Sequence, residues 1–187
     1  MGEKKEGEAP VCDISFEIAK IKEDKMLKRI YCDMDGVLAT FNPHATPGQL
    51  LEAGYFLSRP AENEMIEIVK ELAGDPQNEV FILSCVIPEI ADRAIAEKDE
   101  WLDRYLPEVR KSHRLYPHCG TDKVKAIGAA ELCRYDILLD DHSPNCRLWQ
   151  KKNGIAIKIL NGINGNGGSY TGIRAVPEEI PGILRAL

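Results

Sequence analysis

Arg29-Ile30-Tyr31-Cys32-Asp33-Met34-Asp35-Gly36-Val37 is the stretch on which the fold turns. Ile30, Tyr31 and Cys32 form an unbroken apolar run that stops at Asp33, with Gly36 just beyond. A short apolar run bounded by turn residues reads as a strand buried on both faces. Its acidic ending sets Asp33 and Asp35 at the carboxyl end. The same grammar recurs downstream. Val80-Phe81-Ile82-Leu83 ends at Ser84, Ile137-Leu138-Leu139 ends at Asp140-Asp141, and Ile155 to Leu160 is the last clear strand. Arg114-Leu115-Tyr116 reads as a further short strand.

Helical text separates these strands. Pro60 suits a first turn, Met65, Ile68, Val69, Leu72 and Ala73 share a face, and Gly74 is a stop. Pro88 opens a helix with Ala91, Ala94, Ile95, Leu102 and Tyr105 inside, in which Trp101, like Trp149 later, fits helix burial. Thr121 caps a helix through Val124, Ile127 and Leu132. Ser143-Pro144 starts another, which Gly154 ends. Buried strands alternating with helices predict an α/β fold, a doubly wound, Rossmann-like parallel sheet.

Outward from this frame, residues 1–28 read as a charged N-terminal extension in which Ile14, Ile18 and Ile21 have helical spacing. Residues 29–187 read as one domain, matching the prior of about 150 residues per domain. Phe41 to Arg59 holds Pro43, Pro47, Gly48 and Gly54, a long loop with one short helix. It predicts a small cap inserted after the first strand, at about 40–59. Asn161 to Gly172 is rich in Gly and Asn without a phosphate-loop lysine, and reads as an ordinary loop.

Composition excludes several classes. The 24 basic and 30 acidic residues leave a net charge of −6, against a chain that grips nucleic acid by bulk charge. No apolar run nears the ~18 residues of a membrane span. The first ten residues lack the apolar core of a secretory leader, so a cytoplasmic protein is expected. The six cysteines form no C-x-x-C pair, which argues against a zinc knuckle or a disulfide framework. Cys32 and Cys85 read as small packed apolar groups. The four histidines share no metal-ligand spacing.

Ligands of such sheets bind beyond the carboxyl ends of the strands. Asp33, Asp35, Ser84, Asp140 and Asp141 are set there, and Lys123 joins them from the start of a helix. Four carboxylates at one edge repel each other. A divalent cation resolves this, and oxygen-only donors favour Mg²⁺. With the metal and Lys123, the site suits a phosphate dianion. Ser84, read as preceding a helix N-terminus, adds a hydroxyl and free N–H groups. One carboxylate can attack phosphorus while the other, reached through the turn at Gly36, moves protons.

At Asp33-Met34-Asp35-Gly36-Val37, Ser84, Lys123 and Asp140-Asp141 the sequence resembles the haloacid dehalogenase (HAD) superfamily, over roughly Arg29 to Leu160. The order separates it from response-regulator receivers, where the acidic pair comes first and the lysine last. The resemblance implies Asp33 as nucleophile and Mg²⁺ ligand. It implies Asp35 as general acid/base with its carbonyl on the metal, Ser84, Lys123, Asp35 and Gly36 at the phosphate, and Asp140 and Asp141 completing the metal site. Within the superfamily the text is most similar to the 5′(3′)-deoxyribonucleotidases. The likeness lies in the first motif, Glu97-Lys98 with Trp101-Leu102, Leu138 to Asp141 ahead of Asn145 and Trp149, and Asn153 to Ile157. The insertion is shorter than that group's helical cap, and Ser84-Cys85-Val86 departs from its usual text. The expectation is a Mg²⁺-dependent phosphomonoesterase acting on a small phosphorylated substrate, a nucleoside monophosphate, with Tyr55 and Phe56 as leaving-group contacts. The alternatives are a phosphatase for another small or macromolecular ester, and a catalytically idle binding module.

Overall fold

The computed structural model describes residues 27–163 and 169–187. The expected helix over Ile14 to Ile21 lies outside these residues. Among the described residues six strands form one sheet: β1 (Lys28–Cys32), β2 (Asn78–Leu83), β3 (Arg114–Leu115), β4 (Asp136–Asp140), β5 (Ile155–Ile159) and β6 (Ile173–Ala175). The helices are α1 (Pro47–Leu50), α2 (Asn63–Gly74), α3 (Ala91–Tyr105), α4 (Lys123–Ala126), α5 (Ser143–Lys151) and α6 (Ile180–Ala186). The strand order is β3-β2-β1-β4-β5-β6, and every neighbouring pair is parallel.

Chain order reverses between β1 and β4, the switch point at which doubly wound sheets open a crevice. Register makes that crevice acidic. Cys32 lies opposite Leu139, and the Asp33 N–H donates to the Leu139 carbonyl at 2.9 Å. The residues that end β1 and β4 are therefore neighbours, Asp33 beside Asp140.

Side chains alternate across the strands as the two-residue period requires. Ile30, Cys32, Ile137 and Leu139 meet Met65, Ile66, Val69, Trp101, Leu102, Ile180 and Leu184 on one face. Tyr31, Leu138 and Ala156 meet Val124, Cys146 and Trp149 on the other. Both tryptophans are fully buried, and each indole N–H has a backbone acceptor. Trp149 donates to the Asp136 carbonyl at 3.0 Å and Trp101 to the Arg59 carbonyl at 2.8 Å.

Several boundaries differ from the sequence expectation. α2 starts at Asn63, not near Pro60, because the Pro60 carbonyl instead accepts the Thr40 N–H at 2.9 Å. Asp122, not Thr121, caps α4, accepting from the Val124 N–H at 2.9 Å. α4 stops at Ala126 instead of reaching Leu132, since Gly128 takes a left-handed φ of 70° that ends the spiral. Ser84 does not immediately precede a helix. Cys85 to Ile87 continue beyond β2, with Val86 bridged to His118, and a 3-10 turn at Pro88–Ile90 leads into α3. Ile155–Ile159 is not the last strand: β6 follows it at the sheet edge, and α6 packs beneath.

Candidate active site

Met34 turns the chain as it leaves β1. Its carbonyl accepts the N–H groups of Val37, Leu38 and Ala39, at 3.2, 2.9 and 2.9 Å. Gly36 sits in this turn with φ of 83°. A Cβ at Gly36 would lie 2.5 Å from Asp141 Oδ2, so position 36 must lack a side chain for Asp141 to approach. The Gly36 carbonyl accepts from Asn161 Nδ2 at 2.7 Å, and the same amide donates to Asp141 Oδ2 at 2.8 Å.

Asp33, Asp140 and Asp141 are all buried, and each offers a carboxylate oxygen within 4.8 Å of the others. Lys123, from the first turn of α4, lies between two of them, 3.0 Å from Asp33 Oδ2 and 2.6 Å from Asp140 Oδ2. Burial opposes its charge, but Asp33 and Asp140 outweigh burial and hold the ammonium above the ordinary lysine pKa. Burial pushes the Asp140 carboxyl up, partly offset by Lys123 and by the His142 N–H at 2.7 Å. Burial, then the charge of Asp33, raises Asp141 to about 6. A second buried ammonium, Lys158, donates to the Asp141 carbonyl. Lys123 and Lys158 against three buried carboxylates still leave one excess negative charge. A hard cation with oxygen ligands answers that imbalance, and the donor set fits one.

Asp35 points elsewhere. Its Oδ2 is 2.5 Å from the ammonium of Lys98, which also donates to Ser84 Oγ at 2.8 Å and to the Cys85 carbonyl at 3.1 Å. Lys98 is wholly buried yet has three partners, and it lies over the Phe56 ring, 4.9 Å from its centroid. One lysine thus holds Asp35 and Ser84 together.

A cleft of about 280 Å³ opens in front of these groups, lined by Asp33, Asp35, Asp141, Phe41, Leu50, Phe56, Ile87 and others. Of the two expected cap contacts, Phe56 faces this cleft. Tyr55 is not in its lining: it packs edge-on against Phe56 and beneath the guanidinium of Arg59. Cys85 does not pack as a simple apolar group but faces Cys119.

The structure brings Asp33, Asp140, Asp141 and Lys123 together, sets Asp35 and Ser84 beside them, and adds three residues the sequence reading did not place in the site. Lys98 carried a signal: it shares the helical face of Ala94, Trp101 and Leu102, so a charge stood on an apolar stripe. Asn145, named in the sequence likeness but given no role there, donates to Asp140 Oδ2 at 2.9 Å from the first turn of α5. Asn161 carried none, because its loop reads as ordinary turn text.

No family model and no curated protein sequence matches the chain. Solved structures do. A haloacid dehalogenase-like hydrolase from Streptococcus pneumoniae superposes with a TM-score of 0.57 at 10% identity, covering 84% of this chain and 98% of that one. A D,D-heptose 1,7-bisphosphate phosphatase from B. bronchiseptica, complexed with magnesium and phosphate, gives 0.61 at 11% identity over 86% and 100%. A HAD family hydrolase from Deinococcus radiodurans R1, with bound phosphate and sodium, gives 0.55 at 11% over 87% and 97%. The chain has the fold of HAD-like hydrolases.

Proposed function

We propose that this chain is a Mg²⁺-dependent phosphomonoesterase that forms an aspartyl phosphate on Asp33 and acts on nucleoside monophosphates. The observation that carries the reading is the meeting of Asp33, Asp140 and Asp141 within 4.8 Å, with Lys123 inserted among them, at the sheet's switch point. Carboxylates from Asp33, Asp140 and Asp141, with the Asp35 carbonyl, would hold the cation. When bound, it neutralises the phosphoryl oxygens and the repulsion around the attacking carboxylate.

The residues themselves do the rest. The Met34 N–H holds Asp33 Oδ1 at 2.7 Å and so fixes the plane of the attacking carboxylate. Lys123 supplies fixed positive charge beside Asp33, where the transferred phosphoryl group sits. Ser84 Oγ, located by Lys98, offers a hydroxyl to a phosphoryl oxygen. Asp35, facing the cleft from the turn, gives a proton to the leaving oxygen and later takes one from water. Phe41, Leu50, Phe56 and Ile87 supply apolar walls suited to a flat, weakly polar leaving group such as a nucleoside.

The test is a phosphate-ester panel with purified protein, with and without Mg²⁺. Deoxynucleoside monophosphates are expected near the top. If sugar phosphates exceed every nucleotide tenfold in kcat/KM, about 1.4 kcal/mol of transition-state preference, the nucleotide assignment falls.

A further inference from the structure

We propose that Cys85 and Cys119 are a reversible oxidation site, a dithiol that hydroperoxides convert to a disulfide on the wall of the cleft. The two sulfurs are 3.4 Å apart, and both residues line the cleft with Asp33 and Asp35. Their backbones are already framed. The Val86 N–H donates to the Pro117 carbonyl at 2.9 Å, and the Cys119 N–H donates to the Val86 carbonyl at 2.8 Å. A disulfide bond of ~2.05 Å requires the sulfurs to close by only about 1.3 Å.

The two thiols are unlike. Cys119 is exposed and Cys85 is half-buried. The hydrogen bond between the two thiols brings the Cys119 thiol down to about 7, with burial opposing and the charge of Lys98 assisting. The same hydrogen bond, then burial, pushes Cys85 up. Cys119 is thus the accessible thiolate and Cys85 its resolving partner.

The chemistry balances in two steps. The Cys119 thiolate attacks the terminal oxygen of the hydroperoxide. An S–O bond forms, the O–O bond breaks, and the leaving alkoxide or hydroxide takes a proton from solvent. Cys85 then attacks the Cys119 sulfur. The S–S bond forms, the S–O bond breaks, and the hydroxyl leaves as water with the Cys85 proton. The dithiol loses two electrons and the hydroperoxide gains them.

Closure draws on the Cys85 main chain, whose carbonyl Lys98 holds together with Asp35 and Ser84. Oxidation therefore lowers phosphatase turnover, a consequence that rests on the function proposed above, whereas the disulfide does not.

The experiment treats the reduced full chain with hydrogen peroxide, alkylates the remaining thiols and maps the peptides by mass spectrometry. A loss of two hydrogens, one cross-link between Cys85 and Cys119, and reversal by dithiothreitol are expected. Cys85→Ser should leave a sulfenic acid on Cys119 that dimedone captures, and Cys119→Ser should give no cross-link at Cys85. Aryl phosphate turnover should fall severalfold on oxidation and return on reduction. A cross-link through other cysteines, or both thiols still alkylatable after peroxide, overturns the site. Unchanged turnover in fully cross-linked protein overturns its effect on the cleft. Turnover by the reduced enzyme reports separately on the phosphatase reading.

Discussion

Asp33 and Asp35 stand two residues apart and are held by different cations, Lys123 and Lys98. That separation predicts different failures. Asp33→Asn removes the attacking oxyanion, so no phosphoenzyme forms. Asp35→Asn leaves the nucleophile but removes the proton carrier, a loss typically of ~10²–10⁴-fold. An aryl phosphate, with its good leaving group, should still phosphorylate Asp35→Asn, which then stalls. Mass spectrometry of quenched protein should find a hydroxylamine-sensitive phosphoryl group on Asp33. Phosphate on Ser84, or any in Asp33→Asn, would overturn the mechanism.

Asp141 makes a separate prediction. Its carboxyl, ordinarily near 3.8, is raised to about 6 by burial and by Asp33. Between these values the folded state keeps a proton that the unfolded state has released. In chelator, Asp141 therefore costs stability as pH rises through that window, up to about 3 kcal/mol above it. Asp141→Asn should melt higher than the parent at pH 7 without metal. The difference should shrink to near zero below about pH 4, the ordinary carboxyl range. An equal gap at both pH values in thermal denaturation would refute the assignment.

At the scale of elements, α3 organises the cleft. Arg93, Glu97 and Trp101 recur every four residues along one ridge. Arg93 donates to the Leu51 carbonyl, Glu97 accepts the N–H groups of Gly54 at 2.7 Å and Phe56 at 3.1 Å, and Trp101 donates to the Arg59 carbonyl. The segment between Thr40 and Pro60 is thus hung on α3, while Lys98, one residue on from Glu97, reaches Asp35. Glu97→Ala leaves two backbone donors without their acceptor, at about 1–3 kcal/mol each. The expected result is a KM for nucleotides raised ~10-fold with a smaller change in kcat, since Phe56 shifts while Asp33 and Lys123 stay. A kcat loss with KM unchanged, in steady-state kinetics, would place Glu97 in the chemistry instead.

Across the whole molecule, the proposed metal centre predicts that cation binding is linked to stability. Three buried carboxylates from two strand ends are only partly neutralised by Lys123 and Lys158. Mg²⁺ should raise the melting temperature, by about 2.7 kcal/mol of stabilisation at 100 times its Kd. Chelator should abolish aryl phosphate hydrolysis. Full activity in excess chelator would remove the metal from the mechanism.

The sequence by itself determined five of the six described strands, their parallel character and the residues at their ends. The reason is local: buried parallel strands need unbroken apolar text, and Asp33, Ser84 and Asp140 interrupt it where the chain leaves the core. The weak signals were at the periphery. β6 is three residues long at the sheet edge, where pairing on one side asks for little apolar text. α4 is a single turn whose length was set by Gly128. Only the tertiary structure decided which side chains meet across elements. Lys98 is 63 residues from Asp35 in the chain, Asn161 is 125 from Gly36, and Cys119 is 34 from Cys85. Such pairings follow from the register of β1 against β4 and from the seating of α3 on the sheet. A one-dimensional pattern shows that a residue is misplaced on an apolar face, but only the folded chain brings it its partner.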